Sequence, residues 1–355
     1  MPISSVHFLF IVFLVMLSLV MVLIIAVLVY NFIEYKESLR IAKWSDIIDR
    51  KIAEVIVYWE EEPIGDDVQF KIHSQNAAFR NLFLKKLVDS EKKFSGGAKD
   101  KIKGLFNDYD LKKEAFKKLK QKKPHLIARG LTELTVMDVE DALPKIASFL
   151  SHRSIHVYQE AQYAMVRFKG FEGLHFLESF SSKISEWQQL RLLLSISSIP
   201  ENSDATIEKW LESNNYSVVI FVLKLIKKFQ MLTLYSKILK LLDRDSEKVR
   251  IEVVKVLMSL ENPETVAYLS GIYHEQPQDV KLEILRAVQV SKDQCCTELL
   301  KKELREDLSP NIKVNAAQAL YELGHRDYLS ELAHREDSSE ELVQILKYAL
   351  QQKIC

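Results

Sequence analysis

From Phe8 to Phe32 the chain carries no charged side chain, and Ser18 is the only polar one before Tyr30. As a helix, a run of about 25 residues rises roughly 37 Å, enough to cross a hydrocarbon core near 30 Å with some tilt. Behind it the pattern becomes amphipathic. Trp44, Ile47, Ile48, Ile52, Val55 and Ile56 recur at helical spacing and predict a helix over about 34–60. The acidic stretch Glu60 to Asp67, with Pro63 and Gly65, predicts a break. A further helix is expected from Ser74 to about Phe94, and Ser95-Gly96-Gly97 marks a joint.

From about residue 124 the pattern repeats. An apolar residue is followed four and eight positions later by apolar or small ones, which places three successive layers on one helix face. The sets are Ile127/Leu131, Val157/Ala161/Met165, Leu190/Leu194, Val218/Val222/Ile226, Val249/Val253/Leu257, Val280/Ile284/Val288, Ile312/Ala316/Leu320 and Leu342/Leu346/Leu350. Their first residues stand 30, 33, 28, 31, 31, 32 and 30 positions apart, a regularity that unrelated amphipathic helices would not keep. Each period has room for two helices and two turns. Tyr235 to Leu242 predicts a first helix and Val249 to Leu260 a second, which Glu261-Asn262-Pro263 ends. The next periods follow the same order, with helices at Val266–Tyr273 and Val280–Val290, and with Pro277 and Pro310 just before second helices. Neither helix of a pair buries its apolar face alone, so neighbouring pairs must stack.

The stretch Asp245-Ser246-Glu247-Lys248-Val249-Arg250, followed by Val253 and Leu257, resembles the HEAT-repeat family at the short end of its length range. In that family the acidic turn residue and the arginine after the valine tie adjacent units. Here Lys281 and Lys313 stand at the arginine position in two units, and Val219 and Val343 in two others, so that ladder is incomplete. The resemblance covers roughly two-thirds of the chain and implies architecture rather than activity. Gly170 to Leu177, followed by Trp187-Gln188-Gln189-Leu190, departs from a plain repeat. That stretch also resembles bacterial membrane-anchored HEAT proteins associated with envelope polysaccharide glycosyltransferases. The expected fold is all-α. It has a transmembrane anchor at 1–35, a juxtamembrane helical region at 36–123, and a right-handed solenoid of about seven to eight HEAT-type pairs at 124–355.

Composition supports this. The 355 residues are 48% hydrophobic with only 9 glycines and 8 prolines, which suits helices. With 49 basic and 49 acidic residues, no global field steers the chain to nucleic acid. Lys36, Arg40 and Lys43 follow the apolar run and no Lys or Arg precedes it. The positive-inside rule then predicts an uncleaved single-pass inner-membrane anchor, with the N-terminus outside and the repeats in the cytoplasm. Cys295, Cys296 and Cys355 form no C-x-x-C pair and suit buried thiols in a reducing compartment. From Lys85 to Lys123 there are 14 lysines against 6 acids, densest at Lys112, Lys113, Lys117, Lys118, Lys120, Lys122 and Lys123. These are candidates for contact with an anionic membrane surface, weighed against a solvated helix face.

Catalytic patterns are thin. The single His274-Glu275 dipeptide is too little for a di-iron centre of the kind that deoxyhypusine hydroxylase, a HEAT-like enzyme, builds from several such pairs. His152 and His156 lie in a turn-like stretch, and there is no H-E-x-x-H, Gly-rich phosphate loop or G-x-S-x-G elbow. No catalytic residue, metal or cofactor is expected. The expected function is a membrane-tethered protein–protein interaction scaffold, an accessory of an envelope polysaccharide or glycosyltransferase system. Candidate partner-binding residues are Arg191, Arg250, Lys281 and Lys313, whose alternative role is packing between units. Two other readings stand beside it: a HEAT-framed enzyme, bilin-lyase-like or nucleic-acid processing, and an anionic-lipid surface sensor. Trp187 and Trp210 are expected in the core or at its rim.

Overall fold

The computed structural model describes residues 3–57, 68–306 and 309–351. The acidic break at Glu60–Asp67 and Cys355 lie outside them. The protein is 80% helical, and no strand occurs among the described residues. The contacts divide it into two compact units, one up to Ala164 and one from Met165.

In the first unit, α1 is one uninterrupted helix, Ile3–Val57, so the apolar run and the amphipathic segment after it share a single rod. Its apolar part is long enough to cross a membrane, and none of that window is buried in the protein. Burial begins at Trp44 and continues at Ile48 and Ile52, four residues apart on one face. That face meets α2 (Val68–His73), α3 (Ala77–Glu91) and α4 (Gly97–Asp108) in an aromatic core. Phe70, Phe79 and Phe83 are fully buried. Trp44 meets Phe79 edge-on at 5.6 Å, and Phe70 meets Phe83 at 5.1 Å. Edge-to-face pairs at such separations add to the burial term. The helix expected from Ser74 begins instead at Ala77. Asn76 caps it by accepting from the Ala78 N–H at 2.8 Å, so the polar side chain and not the apolar pattern sets the start.

The unit continues through α5 (Lys112–Leu119), α6 (Pro124–Val136), α7 (Leu143–Ala147) and the start of α8 (Ile155–Lys169). α6 packs closely on α5 and also touches α3. Arg80 donates to Glu114 at 3.1 Å, and Thr132 to Glu160 at 3.0 Å. The repeat-length spacing of contacts thus reaches back to Arg80.

The second unit opens with ten residues of 3-10 helix, Gly170–Ser179, which is the segment that departs from the repeat in sequence. It then runs through α9 (Glu186–Ser195), α10 (Asp204–Leu211), α11 (Tyr216–Phe229), α12 (Tyr235–Leu239), α13 (Glu247–Ser259) and α14 (Thr265–Ile272). The remaining helices are α15 (Gln278–Ser291), α16 (Thr297–Glu306), α17 (Pro310–Glu322), α18 (Arg326–Ala333) and α19 (Glu340–Gln351). The second helices of successive periods pack in chain order, α11 on α13, α13 on α15, α15 on α17 and α17 on α19. The predicted core sets from Val218 to Leu320 are all buried. Polar ties follow the same rule, with partners from 26 to 35 positions apart. Examples are Lys237 to Glu208 at 2.7 Å, Tyr235 with Thr265 at 2.8 Å, Tyr273 to Glu303 at 3.1 Å and Gln278 to Ser309 at 2.7 Å.

One set is out of phase. Leu190 and Leu194, expected in the core, are 48% and 75% exposed. The buried residues of α9 and its cap are Gln188, Gln189, Leu192 and Ile196. Gln189 explains how polar groups occupy that face. Its amide donates to the Ile184 and Ser217 carbonyls at 3.2 and 3.4 Å, and its oxygen accepts from Lys224 at 2.9 Å. A buried amide so satisfied is tolerated where an unpaired one would not be.

Two glycines should separate space from propensity. A Cβ on Gly173 would sit 2.4 Å from the Met165 carbonyl oxygen and 2.6 Å from the Val166 Cα, both backbone atoms. Gly104, inside α4, faces open space. Gly173→Ala is expected to lower unfolding stability by about 2 kcal/mol or more, through overpacking that no side-chain rotation relieves. Gly104→Ala is expected to raise it by up to about 1 kcal/mol. Thermal unfolding of the full chain in mild detergent, followed by circular dichroism, reads both signs.

Candidate functional site

The exposed face of α9 is the most unusual surface of the second unit. Trp187, Leu190 and Leu194 lie three and four residues apart, on one helix face, and stand 72%, 48% and 75% exposed. α9 starts at a Ser185 cap that accepts from the Gln188 N–H at 3.3 Å. That start, following the 3-10 segment, fixes which residues turn inward. With Gln188, Gln189, Leu192 and Ile196 inside, Trp187, Leu190 and Leu194 must point out.

Cations lie in and against α9. Arg191 lies half-buried in the same helix. From α11, Lys224 reaches Gln189, and Lys228 donates to the Leu193 carbonyl at 2.6 Å and to that of Ile196. Lys228 therefore satisfies carbonyls at the C-terminal end of α9, where a positive charge is favoured by the helix dipole.

Of the other predicted partner residues, Arg250 and Lys281 make contacts within the repeats. Arg250 donates to the Arg244 carbonyl and, at 3.2 Å, to Gln276, one period on. Lys281 stands over the buried Tyr273 ring at 5.3 Å, and Lys313 is half-buried. The position after the buried valine is taken in α9 by Gln189, so Arg191 is not part of that ladder.

The lysine segment is corrected at one residue and thinned at others. Lys118 is 8% exposed and cannot meet a membrane surface. It donates to both Glu133 oxygens at 2.6 Å, and Glu133 also accepts from Arg129 at 2.9 Å. Burial pushes the Lys118 ammonium below its ordinary value, with Glu133 opposing. Lys112 pairs with Asp141, Lys113 with Asp110, and Lys117 with Glu114. Lys120, Lys122 and Lys123 are exposed. Lys112 and Lys118 thus join separate elements through Asp141 and Glu133, while Lys113 and Lys117 pair locally.

A cleft of ≈ 530 Å³ lies between the end of the 3-10 segment and the α10–α11 turn. Its walls include Phe180, Trp210, Asn215 and the Lys209–Glu178 ion pair at 2.7 Å. Asn215 is already engaged, donating to the Phe180 and Ser182 carbonyls. Trp210 is buried in the core as expected, whereas Trp187 is not. Beside the cleft, His175 lies between Glu172 at 2.8 Å and Glu178 at 3.3 Å. The hydrogen bond to Glu172 raises its pKa above the ordinary 6.5, helped by Glu178.

Among the described residues, no group of three or more His, Cys, Asp or Glu is placed to hold a metal. His152 accepts from the Ser154 N–H at 3.0 Å, and His156 is exposed in the first turn of α8. Cys296 is buried as expected, but Cys295 is exposed, because the two end a short 3-10 turn, Gln294–Cys296, rather than lying in a helix interior.

No family model and no curated protein matches the chain. Among solved structures, an engineered protein from the Northeast Structural Genomics Consortium aligns with a TM-score of 0.35 and 16% identity, over 81% of this chain and 88% of that one. The complex of CpcE and CpcF of phycocyanin lyase from Nostoc sp. PCC7120 aligns with a TM-score of 0.26 and 12% identity, over 82% and 98%. At these scores neither likeness assigns a function.

Two expectations follow from the charged groups. Glu133→Gln leaves Lys118 buried without its carboxylate and should cost about 3 kcal/mol of stability. Lys118→Met leaves Glu133 with Arg129 and should cost less than half as much; denaturant titration of the two variants compares them. For His175, the raised folded pKa means its contribution is present below the unfolded value and is lost as pH rises through the folded one. An NMR titration should place it above 6.5 and show a fall in Glu172→Gln.

Proposed function

We propose that this chain is a membrane-tethered protein-interaction scaffold rather than an enzyme. In this reading α1 crosses an inner membrane once, with the N-terminus outside. The helix pairs behind it form a cytoplasmic right-handed solenoid of HEAT type. The partner is a protein that presents an apolar segment with acidic flanks to α9. An envelope polysaccharide glycosyltransferase system is the finer assignment of that partner.

The observation that carries the reading is the exposed stripe Trp187, Leu190 and Leu194 beside Arg191, Lys224 and Lys228. Large apolar side chains on one helix face gain stability when a partner covers them, at roughly 25 cal/mol per Å². Trp and Arg are the residue types that most often dominate an interface. These cations supply the charge complement that selects an acidic partner and speeds encounter. The apolar part of α1 supports the tether, since none of it is covered by the protein itself. Confinement to the bilayer raises the effective concentration near a membrane partner.

The double variant Trp187→Ala, Leu190→Ala tests this. Full-length protein cross-linked through a photoreactive group at Leu194 should give one stoichiometric adduct in native membranes. The adduct should fall at least tenfold in a Trp187→Ala, Leu190→Ala background, with unfolding temperature unchanged because these side chains are outside the core. Arg250→Ala should lower stability instead. Absence of any adduct, with the protein monomeric in gently solubilised membranes, rejects the scaffold reading.

A further inference from the structure

A second cleft, ≈ 220 Å³, lies in the first unit where α1, α3 and α6 meet. Its lining includes Glu37, Ile41 and Trp44 from α1, Asn81 and Lys85 from α3, and Arg129 from α6. Because α1 is unbroken, the distance of this cleft from the apolar run follows from helix geometry. Glu37 is five residues beyond Phe32, about 7 Å along the axis at 1.5 Å per residue. The polar layer of a bilayer is about 5–8 Å thick on each side of its hydrocarbon core. The near rim of the cleft therefore lies at the depth of lipid phosphates.

The cleft carries positive charge. Lys85 is exposed and has no hydrogen bond or ion pair among the described residues. Arg129 bonds Glu133 through Nε, and its side chain is 42% exposed. Its terminal nitrogens make no hydrogen bond among the described residues. The one carboxylate of the lining, Glu37, is paired with Arg40, whose guanidinium lies 5.0 Å over the Trp44 ring. Lys36 stands 4.6 Å over Phe32, the last ring of the apolar run. Two cations thus converge from different helices on a pocket with an indole in its wall, while the nearby acid is neutralised within α1.

We infer that this cleft binds the phosphodiester headgroup of an anionic glycerophospholipid, with Lys85 and Arg129 as its phosphate ligands. The inference rests on α1 crossing the membrane. It moves the lipid contact from the Lys112–Lys123 run, most of whose members are paired, to residues that the fold gathers beside the span. An arginine and a lysine from separate helices give a phosphate both a forked and a point-charge partner.

The test uses full-length protein purified in mild detergent, with native mass spectrometry counting bound phosphatidylglycerol or phosphatidylcholine. Alkaline extraction of membranes runs in parallel. One phosphatidylglycerol per chain should be retained over phosphatidylcholine. That retention should fall at least tenfold in Lys85→Glu and in Lys85→Ala/Arg129→Ala, and stay unchanged in Lys120→Ala/Lys122→Ala/Lys123→Ala. Lys85→Glu alters an exposed residue and keeps the test independent of the Glu133 contacts. Equal retention of both lipids, or loss only in the Lys120–Lys123 variant, overturns the inference. Displacement by millimolar inorganic phosphate overturns it as well, since the site would then belong to a soluble anion. Membrane-resistant extraction with unchanged lipid binding in Lys85→Glu sinks the headgroup site alone. Release of the protein by alkali sinks the anchor and the headgroup site together.

Discussion

Among the described residues, no helix after α1 is longer than 15 residues. Isolated helices below about 12–15 residues are marginal even with good formers, and α10, α14 and α18 have 8 residues each. These short first helices are held by second helices, α10 by α11, α14 by α13 and α15, and α18 by α17 and α19, while each second helix is buried against the corresponding helix one period away. This nearest-neighbour rule accounts for the contact order α11, α13, α15, α17, α19. It also accounts for side-chain ties of nearly constant sequence separation, from Arg80–Glu114 at 34 positions to Tyr273–Glu303 at 30. An array of this kind is stabilised by unit and interface terms rather than by one central core. Local changes therefore act locally, and an exposed face on one helix can be altered without dissolving its neighbours.

The sequence made most of this legible, because apolar residues at four-residue steps are what the rule requires. From Val218 to Leu320 the inward faces were readable residue by residue. At α9 the reading slipped by two positions. The buried pair there is Gln188 and Gln189, and apolarity alone passes over glutamine in favour of Leu190 and Leu194. A signal was present: Gln188, Leu192 and Ile196 keep the four-residue step and lie closer to the period of their neighbours. The amide's hydrogen bonds to Ser217 and Lys224 were not readable, since both partners come from α11, 28 and 35 positions on.

The lysine run shows the opposite limit. Composition reads fourteen lysines as a charged surface, but charge has no direction in a sequence. Whether Lys118 faces water or Glu133 depends on α6 packing against α5, which brings a carboxylate 15 positions away to 2.6 Å. Gly130 permits that approach: a Cβ there would meet the Ala115 carbonyl oxygen at 2.9 Å. The exposed stripe of α9 was missed for the same reason as the lysine run was misassigned. Both depend on which side of a helix is covered, and that is set by packing partners rather than by residue type.

The long α1 links these themes. Between Phe8 and Val57 it contains neither glycine nor proline, so nothing in its backbone favours a kink. Trp44, Ile48 and Ile52 lock its later turns into the aromatic core of the first unit. In the proposed topology the apolar run and that core are then parts of one rod. The bilayer fixes the run, the run fixes the depth of Glu37 and Trp44, and their packing fixes Lys85 and Arg129 beside them. Depth along such a rod is coupled to direction. One inserted residue between Phe32 and Glu37 would move the cleft by about 1.5 Å and turn it by about 100° relative to the span. A helix without a hinge therefore carries the placement of a membrane-facing site in its length alone, which no flexible linker of equal reach could do.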